Sequence, residues 1–217
     1  MIETDFVNGI DVSHYQGTID WEKVARSGVK FAFIKATDGA AGADPLFAAN
    51  WSAAKDPGVS RGAYQFFRAE QDAERQANFF ITKLGNDWGE LPAVLDFEVL
   101  CGTLVGTALE GATRWMELVG QATGRTPVLY TGPSFWRTQV KSSTAFSNYA
   151  LWIAHYTAAA QPVLPSAWKQ WTFWQHSEQG SVPGIKGPVD LDRFNGTVME
   201  LEALGQRIST MRASAGF

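Results

Sequence analysis

Apolar residues recur along this chain at two different spacings. Short runs with every residue or every second residue apolar alternate with longer stretches in which apolar residues return every three or four positions. That alternation predicts strands interleaved with helices. A first strand is expected over residues 6–13, then a short helix over 20–27 stopped by Gly28. Phe31, Ala32, Phe33 and Ile34 mark a second strand over 30–37. The next helix is expected over 45–56, with Pro45 in its first turn and Pro57-Gly58 as its stop. A third strand over 61–67 leads to an amphipathic helix over 72–84, where Ala73, Ala77, Phe80, Ile81 and Leu84 fall on one face and Gly85 closes the end. A fourth strand runs from Leu91 to Glu98, a helix covers 109–122 up to Gly124, and a fifth strand covers 127–131.

The rhythm then changes. Strands are expected over 151–154, 171–175 and 189–194, but the gaps between them are rich in proline and glycine and do not read as helices. A last helix is expected over 197–211. Strands alternating with helices indicate a parallel sheet, and eight strands suggest closure. A regular (β/α)8 barrel takes about 250 residues, and this chain has 217. An irregular TIM-like barrel of the α/β class fits the count, five βα units followed by three strands with few late helices. A doubly wound open sheet is the alternative. No glycine-rich fingerprint follows the first strand, which speaks against a dinucleotide site. With no repeat, low-complexity segment or linker, residues 1–217 read as one domain, its core at 6–196.

Composition narrows the function. A formal charge of −4 without any basic cluster argues against nucleic acid and anionic membranes as partners. No run approaches the roughly 18–20 apolar residues of a membrane span. Residues 1–8 hold two acids and no basic residue, unlike a signal peptide. Cys101 is the single cysteine, so no internal disulfide is possible, and nothing around it marks a nucleophile. Nine Trp and 14 Phe are many for this length. Most are expected in the core, a minority along a carbohydrate groove.

The chemistry concentrates at Leu95-Asp96-Phe97-Glu98. Residues i and i+2 of a strand share a face, so Asp96 and Glu98 are expected to project together. Placing two carboxylates side by side in a site is costly and raises the pKa of at least one. Glycosidases use such a pair, one group protonated and one ionised. Two solvated acids at a frayed strand end is the other reading. Barrel chemistry gathers at the carboxyl ends of strands. Those ends also offer Asp11, Tyr64, Gln65, Tyr130, His155, Tyr156, Gln175, His176, Asp190 and Asp192. Asp11 also fits a turn cap, and one of Asp190 and Asp192 suits pairing with Arg193 or capping the last helix; spacing favours Asp190 of the two. Tyr64 and Tyr130 fit half-buried packing as well as ligand contact. His14, His155 and His176 are scattered and no HExxH occurs, so no metal and no cofactor is expected. A Gly-x-Ser-x-Gly elbow is also lacking.

In order along the chain, Gly9-Ile10-Asp11-Val12-Ser13 with Gln16-Gly17 and Ile19-Asp20-Trp21, Phe33-Ile34-Lys35-Ala36-Thr37, Gly62-Ala63-Tyr64-Gln65-Phe66, Leu95-Asp96-Phe97-Glu98, Leu129-Tyr130-Thr131, Leu151 to Tyr156, Trp174-Gln175, and Val189 to Asp192 with Phe194-Asn195-Gly196 resemble glycoside hydrolase family 25, the CH-type lysozymes. The resemblance implies the same irregular barrel. It also implies a muramidase that cleaves the β-1,4 bond between N-acetylmuramic acid and N-acetylglucosamine of peptidoglycan with retention.

Carried over by position, Glu98 is the general acid, Asp96 the second carboxylate, and Asp11 and Asp190 complete the acidic set. Tyr64, Tyr130, Trp152, Tyr156, Gln175 and Asp192 are the expected substrate-binding residues. Gln65 stands where many relatives carry His, and His155 where Arg is common. Retention is open to two routes, a covalent bond to Asp96 or attack by the substrate's own 2-acetamido group; the second is preferred. The expected partner is a peptidoglycan glycan strand, met by a monomer that acts in the periplasm or the outer wall as a phage endolysin or an exported lytic enzyme. A non-catalytic wall-binding barrel and a hydrolase of chitin-like polysaccharide are the competing readings.

Overall fold

The computed structural model describes residues 6–206. Nine strands and six α-helices follow one another: β1 (Val7–Val12), α1 (Trp21–Arg26), β2 (Phe31–Asp38), β3 (Gly42–Ala43), α2 (Phe47–Ala53), β4 (Ser60–Phe66), α3 (Ala73–Leu84), β5 (Val94–Asp96), α4 (Val105–Thr123), β6 (Val128–Thr131), α5 (Pro133–Thr138), β7 (Leu151–Ala154), β8 (Phe173–Gly180), β9 (Val189–Phe194) and α6 (Val198–Leu204). β1 pairs with both β2 and β9, so eight strands close into a barrel, and β3 is a two-residue arm folded back on β2. Among the described residues no helix is long and apolar enough to cross a membrane.

The expected irregular barrel is present, with one correction to its direction. β9 runs antiparallel to both β1 and β8. An eight-residue loop between β8 and β9 replaces the helical crossover that a parallel strand would need. Smaller differences have local causes. Pro45 precedes α2 rather than opening it. α4 begins at Val105 with no side-chain cap on Leu104, so no polar signal marked its start. The fifth βα unit has only the six residues of α5, opened by Pro133. The expected last helix is seen over Val198–Leu204 with a Thr197/Glu200 capping box, and positions 207–211 lie outside the described residues.

Alternation along each strand builds two apolar layers. Phe31, Phe33, Val94, Val128, Trp152, Phe173 and Phe194 point into the barrel and plug its lower half. Their neighbours Ala32, Ile34, Leu95, Leu129, Leu151, Ile153 and Trp174 point outward and meet the helices. The plug is aromatic: Phe33 lies 4.4 Å from Trp152 and 5.0 Å from Phe173, centroid to centroid. Gly9 and Gly62 make room for it, because a Cβ at either would stand 2.3 Å or 2.5 Å from the rings of Phe31 and Phe33. Eight of the nine tryptophans are buried, so the indole surplus is mainly core.

Beneath the barrel, fully buried Arg61 binds Glu90 through Nε and Nη2 (2.9 and 2.8 Å) and Asp87 through Nη1 and Nη2 (3.0 and 3.1 Å). Its Nη1 also donates to the Trp51 carbonyl at 2.8 Å. Its own carbonyl accepts from the amides of Glu90 and Leu91. The chain leading into β5 is thereby fastened to β4.

Candidate active site

Above the aromatic plug the barrel opens into a cavity of about 310 Å3. Nine of the ten expected site residues line it: Asp11, Tyr64, Asp96, Glu98, Tyr130, Trp152, Tyr156, Gln175 and Asp190. Val12, Ser13, Tyr15, Gln16, Lys35, Phe66 and Glu178 complete the wall.

β5 ends at Asp96, so Glu98 stands two residues beyond the ladder. The extended course continues, held by the Phe97 amide on the Tyr130 carbonyl at 3.0 Å. Phe97 turns outward into the helix-facing layer, and Asp96 and Glu98 both turn to the cavity. Asp96 is buried, and its Oδ1 has no hydrogen-bond partner among the described residues. Glu98 is exposed to the cavity, yet protein surrounds enough of it to desolvate its charge. Burial raises the pKa of both carboxyls; the Glu98 charge raises Asp96 further, while the positive charge of Lys35 opposes the rise at each. Two coupled acids of this kind share protons as a pair.

Asp190 reaches the rim for a reason the sequence hid. Because β9 is reversed, its amino end, not its carboxyl end, lies at the mouth, and Asp190 pairs in register with Asp11. Asp11 is buried, and burial followed by the charges of Asp192 and Asp190 pushes its carboxyl well up. Burial brings Asp190 to about 6. The same reversal carries Asp192 downward. It lies beneath the cavity wall, 1% exposed, accepting from Trp152 Nε1 at 2.8 Å, and burial raises it well above the usual carboxylate range. Its placement beside Asp11 and under Trp152 is that of a support for the floor rather than a lining group.

Gln175 ties the polar wall together. Its Nε2 donates to Asp11 Oδ2 at 2.6 Å, and its Oε1 accepts from the hydroxyls of Tyr130 (2.9 Å) and Tyr156 (2.8 Å). Replacing it by leucine keeps the volume and leaves three groups without this partner. Gln175→Leu is expected to cost about 2 kcal/mol, the scale of buried polar groups that lose their hydrogen bonds. Urea unfolding measures this, and an unchanged midpoint would contradict the tie.

Gln65, by contrast, points away from the cavity. It donates to the Gly39 carbonyl at 2.7 Å and accepts from Trp115 Nε1 on α4. His155 Nδ1 accepts from the Val163 amide at 3.1 Å, which closes a loop. Neither variation touches the cavity wall. Lys35 was the main omission from the expected set. Its parity signalled it, since Phe31 and Phe33 face inward and Lys35 is next in that series. Glu178 was out of reach of such reasoning, because irregular register after Gln175 disrupts the alternation of β8. Among the described residues no group of three His, Cys, Asp or Glu side chains is placed to hold a metal ion.

The family model described as glycosyl hydrolases family 25 matches residues 10–185, a span that holds Asp11, Asp96 and Glu98. Lysozyme M1 of Streptomyces globisporus is 38% identical over 93% of this chain and 72% of its own length. Among solved structures, the bacterial lysozyme of Streptomyces coelicolor superposes with a TM-score of 0.86 at 35% identity, covering 94% of this chain and 98% of that one. The family GH25 lysozyme of Aspergillus fumigatus gives 0.85 at 28% identity, covering 93% and 100%.

Proposed function

The chain belongs to glycosyl hydrolase family 25 and is a glycoside hydrolase, and from that premise we propose that its cavity hydrolyses the β-1,4 bond between N-acetylmuramic acid and N-acetylglucosamine in peptidoglycan. The observation that carries this reading is the pairing of Asp96 and Glu98 on one cavity wall, opposite Asp11 and Asp190.

Glu98 is the general acid. Of the pair it is the exposed one, so an incoming glycosidic oxygen can meet it and water can restore its proton. In the free protein, burial favours the proton on Asp96. Substrate reverses that preference, because an acetamido N–H donates best to an ionised carboxylate. Asp96 thus releases its hold on the shared proton, and Glu98 carries it to the leaving oxygen. The C1–O bond breaks as the acetamido carbonyl oxygen closes on C1, with Asp96 meeting the positive charge on the nitrogen. Glu98, now ionised, takes a proton from the water that reopens this ring at C1, and configuration is retained. Asp11 and Asp190 face the developing cation from the opposite wall. Tyr64, Tyr130, Trp152, Tyr156 and Gln175 shape the wall against the sugar. One chain supplies every group, so a monomer suffices. The substrate places the reaction in the bacterial wall, which suits a phage endolysin or an exported lytic enzyme.

The test compares release of soluble fragments from purified peptidoglycan and from chitin. Peptidoglycan is expected to be cleaved at least tenfold faster. Faster cleavage of chitin would overturn the substrate, and wall binding without fragments would overturn the reaction.

A further inference from the structure

Three charged side chains are linked beside the acid pair without touching it. Lys35 Nζ reaches Asp38 Oδ2 at 3.2 Å. Arg68 grips the same carboxylate with two bonds, Nε to Oδ1 at 2.7 Å and Nη2 to Oδ2 at 3.2 Å. Both cations sit over the ring of Phe66, Lys35 at 5.0 Å and Arg68 at 4.5 Å from its centroid. Gln76 of α3 holds the backbone of Arg68, accepting from its amide and donating to its carbonyl, both at 2.9 Å. Lys35 and Phe66 line the cavity with Asp96 and Glu98, and Lys35 is the one cation among the described residues of that wall.

We propose that Lys35, tethered by Asp38 and Arg68, is a positioning residue of the hydrolytic reaction that holds the Asp96–Glu98 pair at one proton over the working pH range. This rests on the reading of the pair as the catalytic carboxylates. The mechanism needs one proton on two acids, neither two nor none. Burial alone favours two, since each ionised form is desolvated. A lysine free to close on either carboxylate would strip the proton and leave a neutralised ion pair. No ion pair within 4.0 Å joins Lys35 to Asp96 or Glu98; its partner is Asp38. The tether therefore supplies positive potential at a distance and keeps the ammonium from quenching the acid.

The triad carries one net positive charge, so its effect can be moved in both directions. Lys35→Met leaves Asp38 and Arg68, net zero, and the pair should hold its protons to higher pH. Asp38→Asn leaves two uncompensated cations, and the pair should lose them at lower pH. From β1 Asp11, from β4 Tyr64, from β6 Tyr130, from the segment after β7 Tyr156, from β8 Glu178 and from β9 Asp190 also face this space, and Cys101 stands by Arg68 and Glu70. They are unchanged in both variants, which makes the opposite signs specific to the triad.

Carbon-detected NMR titration of the Asp96 and Glu98 carboxyls in the free protein, beside pH–rate profiles on peptidoglycan, tests this. The upper midpoint and the alkaline limb should rise by about one pH unit in Lys35→Met, fall by a similar amount in Asp38→Asn, and stay in place in Lys35→Arg, following the scale for a nearby charge. If Lys35→Met fails to fold, the opposite behaviour of Asp38→Asn and Lys35→Arg decides. Midpoints that stay put, or shift in the same direction in both charge variants, overturn the proposal even if cleavage persists. Midpoints that shift as stated in a protein that cleaves no peptidoglycan instead overturn the reading of function on which it rests.

Discussion

Replacing Glu98 by glutamine is expected to lower kcat on peptidoglycan by about a thousandfold, the middle of the range for losing a positioned general acid. Glutamine matches the shape and retains hydrogen bonding but has no proton to give the leaving oxygen. Because the exchange removes a titrating group and little volume, KM should stay within about threefold and the fold should be kept. The loss should also depend on the leaving group. A 4-nitrophenyl glycoside of the same sugar departs with little protonation, so its cleavage should suffer far less than that of the natural glycan. Steady-state rates on both substrates decide the matter. A variant within a few-fold of the parent on peptidoglycan, or one equally impaired on both, would remove Glu98 from the acid role.

Arg61→Met should have the largest effect on stability. The guanidinium is fully buried and makes five hydrogen bonds to Asp87, Glu90 and Trp51 while lying 4.5 Å over the Trp51 ring. Removing one side of a buried ion cluster costs about 3–5 kcal/mol. Asp87 and Glu90 are partly exposed and can rehydrate, so the lower figure applies. At about 2–4 °C per kcal/mol for a chain of this size, Tm should fall by about 6–12 °C.

The effect has a defined pH window. Hydrogen bonds from Arg61 outweigh burial and hold both Asp87 and Glu90 below their ordinary values. Their contribution is complete above the unfolded values near pH ~4 and disappears as pH falls through the lower folded ones. Parent and variant should therefore converge in stability below pH ~4. Thermal unfolding between neutral and acid pH measures this, and a Tm unchanged at pH 7 would contradict it. Since Arg61 also fixes the segment running into β5, its loss reaches the acid pair through the backbone.

How the sequence and the structure relate is seen best at particular residues. Alternation along β2, β5 and β7 correctly separates inward Phe33, Asp96 and Trp152 from outward Ile34, Leu95 and Ile153, because a strand buried on both faces still has a strict period of two. Asp96, Glu98 and Asp11 were legible for the same reason. Asp190 is preferred to Asp192 by the sequence, and of the two only Asp190 lines the cavity. Spacing alone does not reveal that β9 runs backwards, and strand direction decides which of the two reaches the mouth. Lys35 is legible by parity, since it follows Phe31 and Phe33 on the inward face, although a lysine is neither a carboxylate nor an aromatic. Gln65 looked like a wall residue from its motif, but its parity sends it to Trp115. The short α5 and the early start of α4 lacked both a long period and a capping side chain, the two signals that reveal a helix from sequence.

Under the proposed function, one acidic cavity cuts the glycan on the reducing side of muramic acid. Digesting peptidoglycan to completion, reducing the new ends with borohydride and identifying them by mass spectrometry tests it most directly. Reduced N-acetylmuramic acid is expected at the new ends from the parent protein, and almost none from Glu98→Gln in the same time. Reduced N-acetylglucosamine at those ends, or equal release by the two proteins, would contradict it.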